Sequence, residues 1–214
     1  MHCCALLRGV CLLTEARLST QAGILERSHL ETWLVSLYVL LGGKKALDEV
    51  RSDYVHHVGR LAKNLEMGSE YVPEWKGKPR KLDLYRLSKS LDQLLIEAGE
   101  PGDGTAVKIY KNMYSVQSHF AVHAGISTTS PYIRTGEASW SAEPKPPAPF
   151  NDSSLTLAFL TLNLTKHVLD RCGIATDAVD AAWNDLSAYG KSRERRFRKF
   201  WYGKFQRFWH TLNR

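Results

Sequence analysis

Apolar residues recur at three- and four-residue intervals almost from end to end of the chain. Leu6, Leu7, Val10 and Leu13 set that period in residues 3–19 and predict a helix. Residues 21–41 predict a second, more buried helix. Its wide apolar face carries Ile24, Leu25, Leu30, Trp33, Leu34, Leu37, Tyr38 and Leu41, and Gly42-Gly43 is the expected stop. Val50, Tyr54, Val58, Leu61 and Leu65 form the stripe of a third helix over about 44–66, with Gly68 beyond its end. Residues 67–81 hold Gly, Pro and Lys without a period and read as a loop. Asp83 is placed to cap a fourth helix, 84–98, whose inward positions are Leu84, Leu87, Leu91, Leu94 and Leu95. Gly99-Glu100-Pro101-Gly102-Asp103-Gly104 is a turn, and a fifth helix follows over about 105–124, up to Gly125.

Residues 126–152 break the pattern. They hold five of the eight prolines, and Pro144-Lys145-Pro146-Pro147-Ala148-Pro149 favours extended polyproline. The β-branched residues near 126–135 suit a short extended segment. Asn151, Asp152 and Ser153 offer caps for a sixth helix, 154–171. Thr176 or Asp177 starts a seventh that runs to about 189, and a last helix is expected over about 192–212. The expected fold is an all-α bundle of six to eight helices with one long proline-containing loop. Its boundaries are a single domain over 1–190 and a basic, aromatic, amphipathic helix over 191–214.

Composition narrows the class. A chain of 214 residues with 43% apolar and 24% charged residues is neither a disordered chain, a collagen-like fibre nor a disulfide miniprotein. No run of 18 apolar residues occurs, so the sequence predicts no membrane-spanning helix. The formal charge is +7, and it sits at one end. Residues 191–214 carry nine Lys or Arg against Glu194 alone, while the rest sums to a charge of −1. The four cysteines, Cys3, Cys4, Cys11 and Cys172, show no CxxC pair and read as small packing thiols. In the opening MHCCALLRGVCLL, Arg8 interrupts the apolar run and no cleavage motif follows, so it reads as the first helix. These features lead to a cytoplasmic expectation.

Two polar groups stand where the pattern is most apolar. In helix two, Glu26, Arg27, His29 and Glu31 interrupt the apolar face, and Arg27 and Glu31, four apart, are expected to pair. In helix five, Tyr110, Tyr114, Ser118, His119 and His123 recur at near-helical spacing. His119 and His123 have the spacing of a metal-binding pair, but no third ligand is evident, and no metal or other cofactor is expected. A histidine beside Arg and Tyr also suits acid–base chemistry on a phosphodiester, with Arg steadying the developing charge.

At these residues the chain resembles a known pattern. The string from Ala22 to Glu31 resembles the R-S-x-x-E helix of a bacterial all-helical domain-of-unknown-function family. Tyr114, Ser118 and His123, followed by Ala124-Gly125, resemble that family's later Y-x3-S-x4-H helix. The likeness covers roughly residues 5–170. It implies that Arg27, Glu31, Tyr114, Ser118 and His123 converge on one polar pocket between helices two and five. A distant likeness to the higher-eukaryote-and-prokaryote nucleotide-binding (HEPN-like) helical bundles implies ribonuclease or defence-related activity. The Arg-then-His spacing of that group also occurs at Arg51, His56 and His57. With 15 Arg and eight His in the chain, such matches arise by chance and carry no weight.

The resulting expectation is a nucleic-acid-processing, ribonuclease-like enzyme. His123 is its acid–base group and Arg27 its phosphate stabiliser; Glu31 orients Arg27, and Tyr114 and Ser118 supply hydrogen bonds. The alternative is a non-catalytic bundle whose five polar residues form a register-fixing network. A third reading is an adaptor working through the tail. There Phe197, Phe200, Trp201, Phe205, Phe208 and Trp209 form an aromatic stripe beside Arg193, Arg196, Lys199 and Arg207. That helix suits docking on the bundle, RNA or another nucleic acid, a protein partner, or an anionic membrane surface.

Overall fold

The structure, a computed structural model, describes residues 1–16, 18–100, 104–114, 133–134, 139–140 and 153–197. It is an all-α bundle, with six α-helices among the described residues. They are α1 (His2–Glu15), α2 (Ser19–Asn64), α3 (Leu84–Glu97), α4 (Thr105–Ile109), α5 (Ser153–Arg171) and α6 (Asp177–Phe197). A 3-10 turn spans Ser69–Tyr71, and α4 runs on into a π-helical turn, Tyr110–Tyr114. Within the long irregular stretch, β1 (Ile133–Arg134) pairs antiparallel with β2 (Ser139–Trp140), Ile133 opposite Trp140. The proline-rich piece lies outside the described residues.

The chain divides into two compact units. The first takes Met1–Trp33 and the chain from Lys108 onward; the second is Leu34–Val107. Helix α2 contributes to both.

In the first unit, α1 packs on α5 and α5 on α6. Cys3 and Val10 of α1, Leu30 and Trp33 of α2, and Leu157, Phe159 and Leu160 of α5 are buried. Each large apolar side chain buried in this way contributes about 1.5–3 kcal/mol. Val179 and Trp183 close the core from α6; the Trp183 ring meets Phe159 edge-on, centroids 4.7 Å apart. Gly173, at φ +66°, ends α5 in the left-handed conformation that glycine adopts without a Cβ clash. The Thr176 carbonyl then accepts from the N–H groups of Val179 (2.8 Å) and Asp180 (2.9 Å), which starts α6 where the sequence places it. Helix α6 does not stop near 189. It continues through Gly190 to Phe197, because an isolated glycine costs a helix only about 1 kcal/mol.

In the second unit, α2 bends where Gly42-Gly43 predicts a stop. Gly43 has φ +62° and ψ −141°, and helix resumes on its far side. The Tyr38 hydroxyl donates to Glu49 Oε2 (2.7 Å), tying one side of the bend to the other. After the bend the expected stripe is out of phase: Tyr54, Leu61 and Leu65 are exposed, whereas Ala46, Ser52, Val55 and Ala62 are buried. The cause is what lies on the helix. The segment after the 3-10 turn passes back along it, with Ser52 Oγ accepting from the Arg80 N–H (2.9 Å) and Asp53 Oδ1 from the Leu82 N–H (2.7 Å). Small and polar side chains suit that close backbone. Asp83 caps α3 as its position predicts, accepting from the N–H groups of Tyr85 (3.0 Å) and Arg86 (3.3 Å). Leu87, Leu91 and Leu95 face inward, while Leu84 and Leu94 are half-buried. Asp92 of α3 caps α4: its two oxygens take the N–H groups of Ala106 (2.7 Å) and Val107 (3.1 Å).

Candidate functional site

The buried stripe of α2 in the first unit runs through Ala22, Glu26, His29, Leu30 and Trp33, at helical intervals of three and four. Two of those five are ionisable. Arg27 lies at the edge of the stripe, half-buried, and Glu31 lies outside it, exposed. Arg27 and Glu31 form no ion pair, so the orienting role expected of Glu31 has no contact behind it in the structure. Four-residue spacing puts two side chains on one side of a helix; it does not give them equal depth.

The partner of Arg27 is Tyr114. Arg27 Nη2 donates to the Tyr114 hydroxyl at 3.0 Å, and Arg27 Cζ lies 5.2 Å from the centre of that ring. Tyr114 is buried and closes the π-helical turn, its ring stacked on Tyr110 with centroids 5.2 Å apart. A π turn takes an extra residue into the helix and shifts the phase of everything after it. The regular helix expected over 105–124 is therefore already broken at Tyr110. The rest of the Arg27 guanidinium is underused: its Nε is buried and has no hydrogen-bond acceptor among the described residues. A buried donor left in this way costs about 1–3 kcal/mol.

His29 belongs to a different arrangement. It is fully buried, and its Nε2 lies 2.8 Å from Thr161 Oγ1 on α5. Thr161 places its single hydroxyl proton on the Leu157 carbonyl (2.9 Å). Nε2 must then carry the ring proton and donate it to Thr161, which leaves Nδ1 with a bare lone pair and no partner among the described residues. An unpaired acceptor is less costly here than an orphaned N–H would be. Burial, helped by the nearby His2 charge, pushes the His29 pKa down from 6.5 to about 4. A neutral imidazole locked against threonine in the core is a structural group.

The structure thus brings together Arg27 and Tyr114 of the expected pocket and sets Glu31 apart. Ser118, His119 and His123 lie outside the described residues, as do Lys199 and Arg207 of the tail; Arg193 and Arg196 fall within the backbone of α6. Glu26 and His29, on the same helix, are the buried ionisable residues that attention to the Arg27–Glu31 spacing passes over. Their signal is their register with Ala22, Leu30 and Trp33. Among the described residues no three His, Cys, Asp or Glu side chains gather as a metal site, and no helix is long and apolar enough to cross a membrane. The chain matches no protein-family model, no curated protein and no solved structure.

Proposed function

We propose that the chain is a nucleic-acid-processing enzyme of ribonuclease type, acting on phosphodiesters at a site centred on Arg27. One observation carries the reading. Arg27 is a half-buried cation whose described contacts are all with a phenol; among the described residues its Nε has no acceptor and the guanidinium no carboxylate partner. Structural arginines at such depth are ordinarily matched by an anion, since an unpaired charge away from water is costly. A guanidinium with donors to spare suits the planar, multi-oxygen anion of a phosphodiester. In this reading Tyr114 positions Arg27, the role expected of Glu31. His123, nine residues beyond Tyr114, withdraws the proton of a ribose 2′-hydroxyl. The 2′-oxygen then attacks the adjacent phosphorus, the bond to the 5′-oxygen breaks and that oxygen takes a proton from water, and Arg27 steadies the charge that builds on phosphate. Ser118 supplies a hydrogen bond. The distant likeness to the HEPN-like helical bundles points the same way, and four free thiols accord with a cytoplasmic setting.

A structural network is the second reading, favoured by the 3.0 Å bond from α2 to the π turn. RNA integrity with wild type, Arg27→Ala and His123→Ala, with and without chelator and beside melting curves, separates the two. The enzyme reading expects cleavage that survives chelator, is lost in both variants, and is accompanied by melting shifts of a few degrees. Intact RNA in every sample, with both variants melting far below wild type, supports the network instead. Cleavage abolished by chelator moves the chemistry to a metal.

A further inference from the structure

The near-zero charge of residues 1–190 conceals a second basic cluster, wholly inside the second unit. Between Trp75 and Ser90 stand Lys76, Lys78, Arg80, Lys81, Arg86 and Lys89, against Asp83 alone. All six basic side chains are exposed. Asp83 is committed to the α3 cap and lies 3.6 Å from Arg86, so it does not neutralise the four cations ahead of it. None of Lys76, Lys78, Arg80 and Lys81 has a carboxylate partner among the described residues.

These cations are held on a fixed backbone. Ser52 and Asp53 grip the segment by the Arg80 and Leu82 N–H groups, and Pro79, just before Arg80, has no N–H to satisfy. Gly77, at φ +93°, turns the chain into this stretch. Side chains two apart on an extended backbone share a side at about 6.6 Å. The alternate N–H groups of Arg80 and Leu82 both meet α2 side chains, as in an extended chain, which would set Lys78 and Arg80 at intervals close to the phosphate repeat of an extended nucleic-acid strand. Aromatic rings flank the cations: Trp75 is half-buried, Tyr71 is 60% exposed, and Tyr85 carries Lys89 Nζ 4.5 Å from its ring centre. Cations beside partly open rings match the two needs of a single strand, phosphate neutralisation and base stacking. A membrane would need a run of apolar side chains to insert, and between Trp75 and Leu82 only Pro79 is apolar.

We propose that this strap, residues 75–82, binds single-stranded nucleic acid, with phosphates on Lys76, Lys78, Arg80 and Lys81 and a base against Trp75. The proposal concerns binding and stands apart from cleavage at Arg27. Its test uses the full chain and a labelled oligouridylate of about 20 nucleotides, with affinity followed by anisotropy across a salt series. Each phosphate contact on a single strand contributes about 0.7 to the slope of log affinity against log salt. Replacing the four cations together by glutamine should lower that slope by about 2–3 and weaken binding at least tenfold near 0.1 M salt. The melting temperature should not change, because glutamine keeps the N–H that Ser52 holds. Trp75→Ala should weaken binding about fivefold or more at an unchanged slope. An unaltered slope and affinity in the four-fold variant overturns the proposal and places any binding elsewhere, the tail included. So does wild-type binding to phosphatidylserine vesicles with none to the oligonucleotide. Cleavage is read separately, so failure of the ribonuclease reading leaves these outcomes intact.

Discussion

Exchanging His29 for glutamine should flatten the acid side of the stability profile. In the folded chain the ring is dry, gives its one proton to Thr161, and takes a second only near pH 4. In the unfolded chain it does so near 6.5. Above 6.5 both states are neutral and the ring has no pH-linked effect. Below 6.5 the unfolded chain binds a proton that the folded chain refuses, so stability falls with pH. The loss is complete once the pH is below 4. A gap of about 2.5 pKa units corresponds to about 3 kcal/mol in total, of which about 2 kcal/mol has been lost by pH 5. Glutamine keeps an N–H donor for Thr161 and does not titrate. Urea unfolding at pH 7.5 and pH 5 should therefore show wild type losing about 2 kcal/mol more than His29→Gln. The other seven histidines are common to both proteins and cancel in the difference. Equal losses in the two proteins would refute the assignment of a neutral, desolvated ring.

Two more substitutions read the backbone. Gly43→Ala puts a Cβ at φ +62°, ψ −141°, where only glycine sits without strain; it should cost about 1–3 kcal/mol in thermal or chemical melts, and an unshifted transition sinks the claim. Asp92→Ala strips the acceptors from the Ala106 and Val107 N–H groups and should cost about 1–2 kcal/mol, partly restored by Asp92→Asn, which retains a carbonyl oxygen. No recovery with asparagine points to charge rather than hydrogen bonding.

Where the physics is local, the fold was legible in the sequence. The Asp83 cap, the start of α6 after Thr176 and the interruption at Gly42-Gly43 each depend on a few adjacent residues. The failures have non-local causes. Nothing in the spacing of Tyr54, Leu61 and Leu65 announces that a returning backbone will lie on the opposite side of their helix. At the site, the four-residue spacing of Arg27 and Glu31 suggests a pair, yet the partner of Arg27 stands 87 residues away on a π turn that helical periodicity does not foresee. A net charge summed over 190 residues likewise erased the strap, because acids elsewhere cancel its cations.

The hydrogen bonds from His29 through Thr161 to Leu157 all point one way. Reversing them would take the threonine proton off a helix carbonyl and strand an imidazole N–H in the core. The imidazole therefore cannot pass protons along; it is a dead end whose Nδ1 has no partner among the described residues. An incoming proton must arrive at Nδ1, and only after water has opened a path between α2 and α5. Acid should thus attack this protein at the rate of that opening, with unfolding after a pH jump levelling off once the acid is strong enough. The same hydroxyl that steadies the core sets how quickly it can be breached.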